Sequence, residues 1–322
     1  MKILDERVLP PIAVAPMAGV TDYPYRQILR SMGAKFIYSE MVSSKGLVYN
    51  NNRTVKLLDY NTREGGYINI QLFGEDADFI VEAGKIVEDK YQPDFIDLNM
   101  GCPVPKVVKN GSGSALMQNP KKVAKIIDKM VKELKTPITV KIRAGWNQSY
   151  LNAVEIAQIS EEKGAAAIAV HGRTREQFYF GDVDYEIIRK VKRAVDIPVI
   201  GNGDIIDIAS ATKMFEYTKC DGIMVGRGLR GNPWLIKRLV KYFGNDIILP
   251  QPKPPAKIDM AIKHLNSAID YYGEKVAVPK MRQHISWYLK GLKNSTYIKD
   301  KINKSKDKET VIETLKKYKD TL

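Results

Sequence analysis

The chain has 322 residues, 44% of them hydrophobic, with 51 Lys+Arg against 37 Asp+Glu for a formal net charge of +14. That size and apolar content fit one large globular domain and a small one. Two cysteines 118 positions apart exclude a disulfide framework, no apolar stretch approaches the ~20 residues of a membrane span, and the opening MKILDERVLPP lacks the apolar core of an export signal, so a cytoplasmic protein is expected.

Eight short apolar, β-branched runs are predicted as strands, at 12–15, 36–41, 67–73, 94–98, 138–142, 166–171, 198–201 and 222–226. Helical periodicity occupies most of the intervals, at 23–31, 77–89, 121–134, 151–162, 185–194, 208–217 and 233–242. Strands alternating with helices make βαβ units and a parallel sheet, and eight of them predict a closed (β/α)8 TIM barrel. An open doubly wound sheet would need a Gly-rich turn after the first strand, and Ala15-Pro16-Met17-Ala18-Gly19 is not GxGxxG. The stretch 42–66 is long for a βα connection and can hold two short helices, one at 54–59.

The barrel pattern ends near residue 243. Leu249-Pro250-Gln251-Pro252-Lys253-Pro254-Pro255 follows, four prolines in seven residues, which reads as a stiff linker over 244–257. Helical spacing without strand signal recurs at 258–272, 280–292 and 310–318, so 258–322 is expected to be a small all-helical C-terminal domain behind a barrel at 1–243. This tail carries 14 Lys+Arg and 8 Asp+Glu, and is about three times as basic per residue as the rest of the chain. Such asymmetry points to a polyanionic partner.

In a (β/α)8 barrel the chemistry sits at the C-terminal strand ends. Cys102 stands there, in Asp97-Leu98-Asn99-Met100-Gly101-Cys102-Pro103, on a turn bracketed by Gly and Pro. An ordinary thiol, with a pKa near ~8.5, is mostly protonated at neutral pH and can act as an acid. Cys220, beside Asp221 at the entry to an apolar strand, reads as a packing residue. Lys141 lies within a strand, where a cation demands an anion or strong acceptor. His171 ends the sixth run and leads into Gly172-Arg173-Thr174-Arg175. Gly201, Gly203, Gly226 and Gly228 follow the last two strands, where backbone N–H groups commonly hold a phosphate, and Arg227 adds charge.

Taken with Asn69-Ile70-Gln71-Leu72, Val140-Lys141-Ile142-Arg143, Gly201-Asn202-Gly203-Asp204 and Gly111-Ser112-Gly113-Ser114-Ala115, these motifs closely resemble the tRNA-dihydrouridine synthases, nearest to their bacterial B-type subgroup. The match runs in order from about residue 12 to 239, and the tail resembles the family's tRNA-binding helical domain through Met281-Arg282-Gln283-His284-Ile285. The resemblance implies an FMN enzyme, recharged by NADPH, that reduces tRNA uridine to 5,6-dihydrouridine, with hydride to uracil C6 and a proton from Cys102 to C5. It implies that Pro16, Met17 and Ala18 line the flavin ring and that Gln71 and Lys141 hold its polar edge. His171 would flank it, and Asn202, Gly203, Asp204, Gly226 and Arg227 would hold the phosphate end. Asn99 and Arg173 would contact the uridine, and Lys280, Arg282, His284, Tyr288 and Lys290 the rest of the tRNA. No metal and no protein partner is expected. A rival reading is a dihydroorotate-dehydrogenase-like barrel acting on a small pyrimidine, which would have no use for the basic tail.

Overall fold

The computed structural model describes residues 12–59 and 66–322; the segment read above for an export signal lies outside them. Nine parallel strands form the sheet: β1 (Ile12–Val14), β2 (Phe36–Tyr38), β3 (Val42–Ser43), β4 (Tyr67–Phe73), β5 (Phe95–Met100), β6 (Ile138–Arg143), β7 (Ala167–His171), β8 (Val199–Asn202) and β9 (Gly222–Val225). Eight of them close a barrel, because β2 pairs with β4 and β9 pairs back with β1. The ninth, β3, lies along the upper end of β4. Helices α1 (Tyr23–Ser31), α2 (Ser44–Val48), α3 (Asn52–Val55), α4 (Ala77–Tyr91), α5 (Pro105–Val108), α6 (Pro120–Glu133), α7 (Ala153–Glu162), α8 (Tyr185–Ala194), α9 (Ile208–Thr218) and α10 (Trp234–Asn245) fill the connections. Among the described residues, no helix is long and apolar enough to cross a membrane.

Strand alternation sorts the residues. Ile68, Ile70 and Leu72 of β4 and Ile96, Leu98 and Met100 of β5 join the core shared with the helices. Each contributes roughly 1.5–3 kcal/mol by leaving water. The alternate positions make a second cluster, built on Phe36, Tyr67 and Phe95, whose ring centroids lie 4.5 to 6.0 Å apart. One step further along the same strands the alternate positions turn polar: Gln71, Asp97, Asn99, Thr139, Lys141, His171 and Asn202. Register then sets them side by side, Gln71 opposite Asp97, Asn99 opposite Lys141, and His171 opposite Asn202. The barrel is therefore plugged with aromatic rings at one end and polar at the other.

The chain closes with α11 (Pro254–Tyr272), α12 (Glu274–Tyr288), α13 (Ser295–Lys304) and α14 (Lys308–Lys319). Pro254 and Pro255 open α11 instead of ending a linker; proline lacks only an N–H that a first turn leaves unbonded, so the extended segment is shorter than 244–257. At its other end, α10 runs two residues past the expected close of the barrel. The helix expected at 280–292 begins at Glu274 and ends at Tyr288, with Pro279 inside it. α13 has no counterpart in the sequence reading, because its inward stripe is little more than Ile298 and Ile302. The helical unit is not a detached module, since Ile258, Leu265, Ile285 and Leu315 belong to the same buried cluster as the barrel helices. The strand expected at 36–41 stops at Tyr38, and the Ser39 hydroxyl, accepting from the Gln71 N–H at 3.0 Å, takes over the next rung.

Candidate active site

The polar end of the barrel opens into a cavity of about 590 Å³. Of the residues singled out from the sequence, Pro16, Met17, Ala18, Asn99, Cys102, Lys141, His171, Asn202, Gly203, Asp204, Gly226, Arg227 and Lys290 form its wall. They come from six strand ends and, for Lys290, from just beyond α12.

Cys102 is 7% exposed and sits on a turn held from three directions. Asn99 Oδ1 accepts from the backbone N–H groups of Gly101 and Cys102, at 3.1 and 2.9 Å. The Cys102 carbonyl accepts from the N–H and hydroxyl of Ser114, at 3.1 and 2.9 Å. Gly113 has φ +61°, and a Cβ there would stand 2.8 Å from that carbonyl oxygen, so only glycine passes. The Gly-Ser-Gly-Ser motif is thus the bed on which the thiol turn lies. Burial pushes the thiol pKa up, against a partial pull downward that includes Arg143 and Lys141. Cys102 is a thiol, not a thiolate, at neutral pH.

Lys141 donates to Asn202 Oδ1 at 3.2 Å, and Asn202 in turn donates to the Met224 carbonyl at 2.7 Å. Among the described residues no carboxylate stands within ion-pair distance of Lys141. Burial first, then the neighbouring Arg143, brings its pKa down to about 8. His171 is kept neutral by burial and by the cations around it, Arg143 and Lys141 first. Asp97, enclosed below, is raised to about 6 by burial; it accepts from Gln71 at 2.7 Å and from Thr139 at 2.6 Å. Asp204 stays ionised, because Arg173 and Arg227 together outweigh the effect of its burial.

The remaining candidates lie outside the cavity wall. Gln71 is fully buried behind Asn99, donating to Asp97 and accepting from the Asn99 amide at 2.7 Å, and does not reach the cavity wall. Arg173 does not face the cavity either: its guanidinium, 2% exposed, pairs with Asp204 and donates to the Gly181 carbonyl. His284 and Tyr288, expected on a tRNA-facing surface, are 3% and 1% exposed. They pack between α12 and the barrel, where the Tyr25 ring lies 5.1 Å from His264 and 5.5 Å from His284, and the Tyr288 hydroxyl meets His264 Nδ1 at 3.3 Å. His284 and Tyr288 recur with Ala277, Met281 and Ile285 at a spacing of three to four residues, so they share the face of α12 that packs on α11. Arg282 is half buried and donates to the Ser305 carbonyl at 2.9 Å, capping α13. Lys280 remains exposed, 3.9 Å from the Asp22 carboxylate.

The sequence reading gave no role to several residues in the wall, among them Arg143, Tyr179, Arg230 and Trp287. Arg143 could have been found, since it lies two positions after Lys141 and so shares its face. Its guanidinium donates to the carbonyls of Gly101, Thr174 and Phe178 at 2.7 to 2.8 Å, tying the thiol turn to the loop after β7. Cys220 is buried away from the cavity and packs near Gly201, as its setting implied.

The model of a family described as dihydrouridine synthase (Dus) matches residues 13–322. A probable tRNA-dihydrouridine synthase of Rickettsia bellii is 41% identical over 92% of this chain and 90% of its own. The tRNA-dihydrouridine synthase B of Proteus vulgaris is 38% identical over 95% of this chain and 94% of its own. Among solved structures, histamine dehydrogenase from Rhizobium sp. 4-9 superposes with a TM-score of 0.56 at 12% identity, over 80% of this chain and 49% of that one. This last likeness is one of barrel fold.

Proposed function

The chain belongs to the dihydrouridine synthase family and is an enzyme that reduces uridine in tRNA to dihydrouridine, and we propose that it works with FMN, drawing electrons from NADPH, in the cytoplasm, with Cys102 as proton donor. The observation that carries this reading is one cavity holding two groups of opposite use, a thiol kept protonated and a half-buried lysine with, among the described residues, no carboxylate in ion-pair distance.

The donor set suits a flavin. Lys141 would offer a cation to the electron-rich edge of an isoalloxazine, Met17 and Ala18 would supply an apolar face, and Gly226 with Arg227 would supply backbone and charge for a phosphate. The volume lies within the roughly 300–1,000 Å³ usual for such ligands. When bound, the flavin supplies hydride for uracil C6.

The remaining chemistry belongs to the chain. Hydride addition at C6 leaves an electron pair at C5, delocalised onto O4. Cys102 Sγ–H gives its proton to C5, so the C5=C6 double bond becomes a single bond with one new C–H bond at each carbon, and a thiolate remains. Arg143 and Lys141 stabilise that thiolate until solvent returns the proton. Asn99 holds the turn, Arg143 anchors it to the neighbouring loop, and the neutral His171 would flank the flavin ring without competing as an acid. The basic helical unit offsets the cost, a few kcal/mol, of drawing a uridine out of its stack by binding phosphates.

Purified protein should be yellow and release FMN on denaturation. Cys102→Ala should retain flavin and its reduction by NADPH while losing dihydrouridine formation, measured by mass spectrometry of tRNA nucleosides. Normal tRNA turnover in that variant removes the thiol from the mechanism.

A further inference from the structure

The rim of the cavity carries an arrangement that the reduction step does not use. The turn after β9 presents two arginines of different standing. Arg227 shares the single carboxylate of Asp204 with Arg173 and lies over the Tyr179 ring at 5.0 Å. Arg230 lines the cavity with no ion pair and no side-chain hydrogen bond among the described residues, and its Nε is buried without a partner. Its guanidinium lies 4.9 Å from the centroid of Trp287, which belongs to α12 and also lines the cavity. Gly231, at φ +68°, brings the barrel loop so close to α12 that a Cβ would stand 2.3 Å from the Trp287 carbonyl carbon. Indole and guanidinium are therefore fixed relative to the reaction cavity, although they come from opposite sides of the proline-rich segment. Lys290, three residues beyond Trp287, adds a second exposed cation to the same wall.

A guanidinium without an ion pair, set over an indole at the rim of the cavity, has the chemistry of a nucleotide site, in which the ring stacks a base and the cation meets a phosphate. We propose that Trp287 and Arg230 form a second nucleotide subsite, which stacks the base next to the extruded uridine and binds its phosphate. This rests on the reading of tRNA as substrate. The extruded uridine vacates its stack, and the neighbouring base is left with one bare face; Trp287 stands where it can cover that face. The alternative is that the pair only clasps α12 to the barrel.

The test is a titration of the flavin-loaded enzyme with tRNA, followed by tryptophan emission, since the chain has three tryptophans. Wild-type emission should be quenched on binding, and Trp287→Phe should still bind but lose most of the quench. Trp287→Ala should weaken binding roughly tenfold, without changing its salt dependence, because stacking releases no counterions. Arg230→Gln should instead flatten the slope of log K against log salt by about one phosphate contact, roughly 0.7–0.9. A Trp287→Phe enzyme quenched like wild type, or an Arg230→Gln enzyme with unaltered slope and merely lower thermal stability, overturns the subsite and leaves a clasp. Wild-type enzyme that binds no tRNA overturns the functional reading, and the subsite with it.

Discussion

Gly113→Ala tests whether the second glycine motif exists to hold the catalytic turn. Two costs add at this position. Alanine at φ +61° carries roughly 1–2 kcal/mol of left-handed strain. Its Cβ would also sit 2.8 Å from the Cys102 carbonyl oxygen, 3.1 Å from Cys102 Cβ and 3.0 Å from Val107 Cγ1. Two of those three atoms belong to the thiol turn, whose carbonyl is pinned by Ser114, so the strain must displace the turn; overpacking of this kind costs typically about 1–3 kcal/mol. The total, about 2–5 kcal/mol, is below the ~5–15 kcal/mol that keeps a domain folded, so the protein should fold with a melting temperature lower by several degrees. Displacing the donor by a few tenths of an ångström to an ångström should reduce turnover on tRNA by up to ~10²-fold. Gly111→Ala is the matched control. Its φ is +76°, but the nearest atom to its Cβ would be Glu75 Cβ at 3.6 Å, so it bears the strain without the collision. The assay compares dihydrouridine formation with NADPH-driven flavin reduction in both variants. Equal loss of turnover in the two, or normal turnover in Gly113→Ala, would refute the assignment.

Loss of a general acid costs ~10²–10⁴-fold, so Cys102→Ala should lose that much turnover, whereas Cys220→Ala should be close to wild type. With wild-type Cys102, the proton-transfer step should hold through neutrality and fall only as pH rises past the ordinary thiol range, because burial raises the pKa of the acid form that must be populated; a step that accelerates with pH would point to a base. Flavin-free protein should bind FMN more weakly as pH rises through about 8, where Lys141 loses its charge, and Lys141→Met should abolish that dependence in a fluorescence titration. Tyr288→Phe should lower stability by about 1 kcal/mol through loss of the bond to His264, while leaving the salt dependence of tRNA binding unchanged; a changed slope would return Tyr288 to the tRNA surface.

The strand ends were legible because their chemistry is local. Cys102 between Gly and Pro, a lysine inside an apolar run, and glycine pairs after the last two strands are recognisable without knowing what they face. Placement was not legible where it depends on direction. Arg173 follows His171 directly, yet the backbone turns it toward Asp204 and away from the cavity. Gln71 reads as the equal of Lys141, but Asn99 stands in front of it. His284 and Tyr288 have the composition of an RNA-binding face and the positions of a packing face.

The sequence by itself determined the (β/α)8 order, the motifs at the strand ends and the basic tail, because apolar periodicity and turn chemistry act over a few residues. The tertiary structure alone decided which polar groups share one cavity, since that depends on register between strands far apart in the chain. It set Asn99 opposite Lys141 and drew the lysine and the Cys102 thiol partly out of water, thereby shifting the acid and the cation in opposite directions. It also brought Trp287 from the helical unit to the barrel rim, through a contact at Gly231 that no local pattern encodes. Burial and long-range contact are properties of the closed chain, and burial is what gives these side chains their protonation states.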